Sequence, residues 1–303
     1  MNEIIIHEVG MRDGLQAENE IVPTEIKIKW IEELYKTGVD IIQVGSFVNP
    51  KKMPQMADTD ELFKVLTEKK NKPANVILSG LVLNEKGLER GLQCGVEMFC
   101  MGVSASDTHS QKNTGMRTLE ALERIIPMAK NAIANGKNVQ VSVQSAFGCG
   151  FEGKIPESRV IGIIEKYLEN DITMISLADT AGHANPEQVE KMFTEIYKLS
   201  DDVNCACHFH DTFGMGLANA YAAYSTGVKY FESSFAGLGG CPFTALASGN
   251  VCTEDLIHMF RNMDIRKDID IEKLRLLSKA ASEFLKRELP GIIYKTGIIP
   301  SLN

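Results

Sequence analysis

The segment Cys205-Ala206-Cys207-His208-Phe209-His210-Asp211 holds two histidines two positions apart. On a strand, side chains alternate between faces, so both imidazoles project to the same side. Two neutral ring nitrogens would then reach a single metal ion. Two partly buried structural histidines are the plainer alternative, but Asp211 beside them and a carboxylate at Asp13 weigh towards a metal. The C-x-C-H-x-H order suggests a zinc cluster at first sight. Parity argues otherwise: Cys205 and Cys207 face away from His208 and His210, towards the helices, and read as packing residues. Two histidines with a carboxylate and an amide oxygen form a mixed nitrogen–oxygen donor set. Such a set suits Mg²⁺ or Mn²⁺ better than thiolate-rich zinc sites do, and it leaves positions open for substrate oxygens.

Further polar residues stand where a core would be apolar. Arg12 and Asp13 follow the first apolar run, Gln43 interrupts Ile41, Ile42 and Val44, and Asp179-Thr180 closes a later run. Gly237-Leu238-Gly239-Gly240-Cys241-Pro242 follows the last run, with Asn250 just beyond. Arg12 would set a fixed positive charge where an enolate oxygen develops; a surface ion pair with Asp13 is the alternative. The glycines either cradle phosphate through backbone N–H groups or let a loop close over a site. Closure would deliver Cys241 as an acid/base group; an inert thiol in a turn is the competing reading.

These residues need a frame that gathers them. Runs rich in Ile and Val predict strands at 3–9, 39–45, 75–80, 96–102, 138–143, 173–177, 204–210 and 229–235. Amphipathic stretches predict helices at 25–36, 58–68, 85–93, 119–134, 156–169, 186–199, 215–225 and 253–263. Pro156 and Pro186 fall where a first helical turn tolerates proline. Eight strand–helix units, one every 30 or so residues, are what a (β/α)8 TIM barrel requires, and its reactive groups lie at the carboxyl ends of the strands. A doubly wound sheet would show a glycine fingerprint early on, and Val9-Gly10-Met11-Arg12-Asp13-Gly14 is not one. The chain is expected to be a single catalytic domain over 1–303, with the barrel to about 265. A further helix at 271–288 and an extended end would pack against the barrel mouth or a neighbouring subunit.

Composition excludes other classes. Hydrophobic residues at 44% and charged residues at 24% are ordinary for a globular protein. A net charge of -8 disfavours nucleic acid and anionic membrane as partners. No apolar run reaches the roughly 18 residues that span a bilayer. Seven scattered cysteines do not make a disulfide framework, and with no leader-like start the expectation is a cytoplasmic protein.

The residues also resemble a known family, the 3-hydroxy-3-methylglutaryl-CoA lyases of the metal-dependent lyase and condensing-enzyme barrels. The likeness runs from Val9 to about Met263 through Val9-Gly10-Met11-Arg12-Asp13-Gly14-Leu15-Gln16, Ser46-Phe47-Val48-Asn49-Pro50-Lys51 and Gly148-Cys149-Gly150-Phe151-Glu152-Gly153. It continues through Ile175-Ser176-Leu177-Ala178-Asp179-Thr180, His208-Phe209-His210-Asp211-Thr212, Gly237-Leu238-Gly239-Gly240-Cys241-Pro242-Phe243 and Ala247-Ser248-Gly249-Asn250. Gly-Leu-Gln after Arg12-Asp13 resembles the lyase branch rather than the condensing one. The resemblance implies that Asp13, His208, His210 and Asn250 hold a divalent metal, Mg²⁺ or Mn²⁺. It implies that Arg12 polarises the thioester carbonyl, that Asp179 assists proton movement near the substrate hydroxyl, and that Cys241 rides a mobile loop. The implied reaction is a retro-Claisen cleavage of an acyl-CoA, carried out by a homodimer. Lys51, Lys52, Lys112 and Arg117 are candidates for the CoA phosphates.

Two positions depart from the pattern. Gln43 stands where the lyases typically carry glutamate, and Asn19 where many carry lysine. A carboxamide orients a hydroxyl but cannot shuttle a proton. A lyase or aldolase acting on a related 3-hydroxyacyl-CoA is therefore the runner-up reading. An acetyl-CoA-dependent condensing enzyme and a non-catalytic acyl-CoA-binding protein come after it.

Overall fold

The computed structural model describes residues 4–68, 72–240 and 249–299. Its elements are β1 (Ile5–Glu8), α1 (Thr24–Leu34), β2 (Ile41–Ser46), α2 (Thr59–Glu68), β3 (Ile77–Leu81), α3 (Glu85–Gln93), β4 (Met98–Ser104), α4 (Asp107–Thr114), α5 (Thr118–Ala134) and β5 (Asn138–Gln144). They continue with α6 (Glu157–Leu168), β6 (Met174–Asp179), α7 (Pro186–Tyr197), β7 (Asn204–Phe209), α8 (Gly216–Ser225), β8 (Tyr230–Ser233), α9 (Thr253–Asn262), α10 (Ile271–Phe284) and α11 (Ile293–Thr296). The eight strands close into a barrel in chain order, β8 pairing with β1, and every ladder is parallel. This is the (β/α)8 TIM barrel that the alternation of strand and helix patterns predicts.

Strand register divides the side chains into two sets, because paired residues share a face. Ile6, Phe231, Cys207, Leu177 and Val143 align across neighbouring strands, are buried, and pack outwards beneath the helices. Cys207 is thus a packing residue, as its parity demands. The inward set is unusual. Where barrels usually stack Val, Ile and Leu, this one places His7, Gln43, Ser79, Cys100, Gln140, Ser176, His208 and Glu232. All eight are buried.

Three details differ from the sequence reading. The 107–114 segment, Asp-Thr-His-Ser-Gln-Lys-Asn-Thr, has no apolar period, yet it forms α4. Its caps make the helix: Ser106 accepts a hydrogen bond from the His109 N–H, and Gly115 closes the far end in the left-handed region. Pro156 precedes α6 rather than opening it, whereas Pro186 is the first residue of α7. The expected 271–288 helix ends at Phe284, and a short α11 follows. α10 packs on the barrel through Trp30, whose ring meets Phe284 and Phe235 edge to face. The chain after it returns to the barrel mouth, where the Gly291 N–H donates to the Ala236 carbonyl.

Candidate active site

β1 ends in a tight π-helical turn, Gly10–Gly14, in which the Asp13 N–H bonds the Val9 carbonyl at 2.7 Å. A π-turn is costly and is found mostly at functional sites. Here it aims Arg12 and Asp13 back over the barrel. Arg12 is held on two sides: its Nε donates to Gln43 Oε1 at 2.5 Å, and its Nη1 pairs with Asp13 Oδ1.

His208 and His210 meet above the same end of the barrel, with Nε2 atoms 3.2 Å apart. Asp13 Oδ2 lies 3.7 Å from His208 Nε2 and 4.0 Å from His210 Nε2. Asn250 arrives from the far side of the β8 loop. After that loop the chain pairs with the end of β7, so that Asn250 bridges His210, and its Nδ2 donates to Asp13 Oδ2 at 2.9 Å and to the Leu238 carbonyl. The fold therefore gathers Arg12, Asp13, Gln43, His208, His210 and Asn250.

Asp211 is not part of the cluster; its carboxylate accepts the Gly216 N–H and shapes the start of α8. Asp179 pairs in register with Phe209, opposite in parity to His208. Its two oxygens accept the His183 and Ala184 N–H groups at 2.8 and 3.0 Å, so it organises the β6 loop. Burial raises its pKa to about 6, against the pull of those N–H groups. Asn19, Lys51, Lys52, Lys112 and Arg117 are exposed, and Lys112 Nζ sits 4.4 Å over the Phe151 ring. Cys241 lies outside the described residues.

Glu232 is the residue that sequence reasoning missed. It faces inwards from β8, in register with His208. His208 Nδ1–H donates to Glu232 Oε2 at 2.9 Å, while Ser176 Oγ and Gln140 Nε2 donate to Oε1 at 2.7 and 2.5 Å. Burial alone would raise the Glu232 pKa; His208 outweighs it and brings the pKa to about 2. The bond fixes the His208 tautomer and turns the Nε2 lone pair towards Asp13, as carboxylates behind metal-bound histidines do.

The electrostatics suit a cation. Burial would raise the Asp13 pKa, yet Arg12 and the two histidines hold it well below the usual carboxylate range. Burial keeps His210 neutral, with a pKa of about 4. His208 is the exception: burial opposes its charge, but Glu232 outweighs burial and raises the pKa, so an ion taken up at Nε2 displaces a proton. One oxygen of Asp13 and one nitrogen of each histidine lie within 4.8 Å of one another, close enough to share an ion. Asn250 Oδ1 is buried and, among the described residues, has no hydrogen-bond partner. Turning the amide over would offer that oxygen to the same ion. The residues fit a divalent cation with mixed nitrogen and oxygen donors.

Two more buried carboxylates stand behind the site. Burial raises the Glu8 pKa to about 8 and the Glu254 pKa to about 7. A carboxyl whose folded pKa lies above its unfolded value adds stability that is complete below the unfolded pKa and is lost as pH rises through the folded one. The buried thiols of Cys100, Cys205, Cys207 and Cys252, with raised pKa values, act in the same direction. The melting temperature of the metal-free chain is therefore expected to fall between pH 7 and pH 9, with Glu8 contributing on the order of 1 kcal/mol. Calorimetry on the chain and on Glu8→Gln checks this. A slope that is unchanged in the variant would contradict the assignment to Glu8.

Comparison with known proteins agrees with this geometry. A family profile described as HMGL-like matches residues 3–280. A hydroxymethylglutaryl-CoA lyase of Bacillus subtilis is 38% identical over 289 residues, 95% of each chain. An (R)-citramalyl-CoA lyase of Chloroflexus aurantiacus is 35% identical over 303 residues, 98% of this chain and 96% of its own. A solved HMG-CoA lyase of Acinetobacter baumannii, in complex with coenzyme A and 3-methylmalate, superposes with a TM-score of 0.92 at 37% identity, covering 100% of this chain and 97% of its own. Among the described residues no helix is long and apolar enough to cross a membrane. Turn, histidine pair, barrel and relatives point the same way: the chain belongs to the HMGL-like family of carbon–carbon lyases.

Proposed function

We propose that the chain cleaves 3-hydroxy-3-methylglutaryl-CoA to acetyl-CoA and acetoacetate, using Mg²⁺ or Mn²⁺. The observation that carries this reading is the convergence of Arg12 with Asp13, His208, His210 and Asn250 at one end of the barrel. The relative from Bacillus subtilis carries this activity in its name. The reading includes a homodimer, from the resemblance, and the cytoplasmic location expected from the sequence.

In the reaction the tertiary hydroxyl loses its proton and becomes a ketone. The neighbouring C–C bond breaks, its electron pair passes into the thioester enolate, and a proton then adds to the enolate carbon. Asp13, His208, His210 and Asn250 would hold a divalent ion, which would supply Lewis acidity when bound. Arg12, clamped by Gln43 and Asp13, presents a fixed positive charge to the developing enolate oxygen without having to reorganise. Gln43 holds Arg12 but exchanges no proton. Asp179 acts through the backbone of the β6 loop, which its carboxylate holds in shape. The part given to Cys241, protonating the enolate, rests on the resemblance alone.

The second reading is cleavage of citramalyl-CoA, in which the carboxylate sits directly on the carbinol carbon, so that the product is a 2-oxo acid. Gln43 and the 35% identical citramalyl-CoA lyase favour it. The test offers each thioester to the purified chain with Mg²⁺ or Mn²⁺ and with a chelator, and identifies the oxo acid released. Acetoacetate formation that is lost on chelation is the expected result. In Gln43→Glu, which restores a carboxylate next to Arg12, the rate should rise about 10-fold or more, as for an added general base. Pyruvate alone moves the assignment to the second reading, and no cleavage of either thioester rejects both.

A further inference from the structure

The turn after β1 and the loop after β8 carry the two halves of the proposed metal site, and they are pressed together. A Cβ at Gly10 would come within 2.6 Å of Phe235 and 2.7 Å of Glu8 Oε1, and one at Gly14 within 2.8 Å of Leu238. The two glycines thus let the turn lie directly against the loop. Between them, fully buried, is the carboxylate of Glu8. Its Oε1 accepts the Gly10 N–H at 2.7 Å and the Phe235 N–H at 3.0 Å, and its Oε2 accepts the Thr253 hydroxyl at 2.5 Å. One side chain therefore joins the first residue of the turn bearing Arg12 and Asp13, the stem of the β8 loop, and the first residue of α9. Asn250 lies three residues before Thr253, in the strand-like segment that runs from the loop into α9.

We infer that Glu8 is a positioning residue for the reaction: by pinning the β1 turn to the β8 loop and to α9, it sets the distance across which Asp13 and Asn250 share a ligand. It touches none of the reacting atoms. The inference rests on the metal site proposed above, and it makes the two backbone N–H bonds, rather than the charge, responsible for the effect. Without the carboxylate, the Gly10 and Phe235 N–H groups lose their buried acceptor, and the turn is free to separate from the loop.

The experiment titrates Mn²⁺ into the metal-free chain by calorimetry, and into Glu8→Ala, Glu8→Gln and Thr253→Val, with a thermal melt of each. Removal of a residue that orients metal ligands typically costs 10–100-fold in affinity. Glu8→Ala is expected to bind Mn²⁺ about 10-fold or more weakly. Glu8→Gln keeps an acceptor oxygen for both N–H groups and is expected to recover most of that loss. Should Glu8→Ala fail to fold, Thr253→Val removes a single anchor and should weaken binding in the same direction. Affinity in the folded variants equal to that of the unmodified chain overturns the inference, whatever the melting temperature does. Absence of Mn²⁺ binding by the unmodified chain is a different failure, that of the metal site itself. Hydrogen exchange of the Gly10–Gly14 amides without metal then decides the pin: faster exchange in the variants supports it, and unchanged exchange overturns it.

Discussion

Asp13→Asn and His210→Gln are each expected to lower the cleavage rate by roughly 10³-fold or more while leaving the fold intact. A metal ion supplies several kcal/mol of charge stabilisation in such reactions, and each 1.36 kcal/mol is about tenfold in rate. Asp13 holds its negative charge strongly and faces both imidazoles, so the amide in Asp13→Asn removes charge while keeping shape and an acceptor oxygen for Asn250. Among the described residues His210 Nδ1 has no hydrogen-bond partner, so His210→Gln disrupts no structural bond seen there. Steady-state rates at saturating metal, with circular dichroism as a fold control, check both. Either variant keeping more than a tenth of the original rate would remove that residue from the ligand set.

Arg12 carries the second large effect. Arg12→Met is expected to reduce kcat by about 10²–10³-fold, the range seen when one preorganised oxyanion donor is lost, with a smaller change in KM. Its Nε and Nη1 are committed to Gln43 and Asp13, so Nη2 remains to meet the enolate oxygen. Arg12→Lys should rescue little, because an ammonium on a flexible stem cannot keep both lateral bonds and still point forwards. Recovery of most activity in Arg12→Lys would show that charge alone suffices and that the clamp is incidental.

What the sequence could reveal follows from how local each feature is. The strands show as Ile- and Val-rich runs and most of the helices as a 3.6-residue period. The histidine pair shows because parity is a property of seven consecutive residues. The same parity, applied to β6, sets Asp179 apart from the cluster, since His208 pairs with Ala178 and not with it. Glu232 lies 24 residues from the histidine it orients, beside two serines, and only the β7–β8 register connects them. Glu8 is further removed still, two of its three partners being 227 and 245 positions away. α4 escaped notice because capping, and not an apolar face, builds it. Asn250 stands out in the sequence only as a polar residue beyond the last run; the resemblance supplied its role as a ligand, and the bridge to His210 explains its place.

The hydrogen-bonded interior of the barrel has a thermodynamic consequence. Aliphatic layers hold side chains by volume alone, whereas Gln140, Ser176, Glu232 and His208 hold one another by direction. Rotamers fixed in this way before any ligand arrives have little left to lose on binding. Ion uptake should then be driven by release of the ion's hydration water, with a favourable entropy and little ordering of the chain. A barrel of this kind behaves as a chelator already folded to shape.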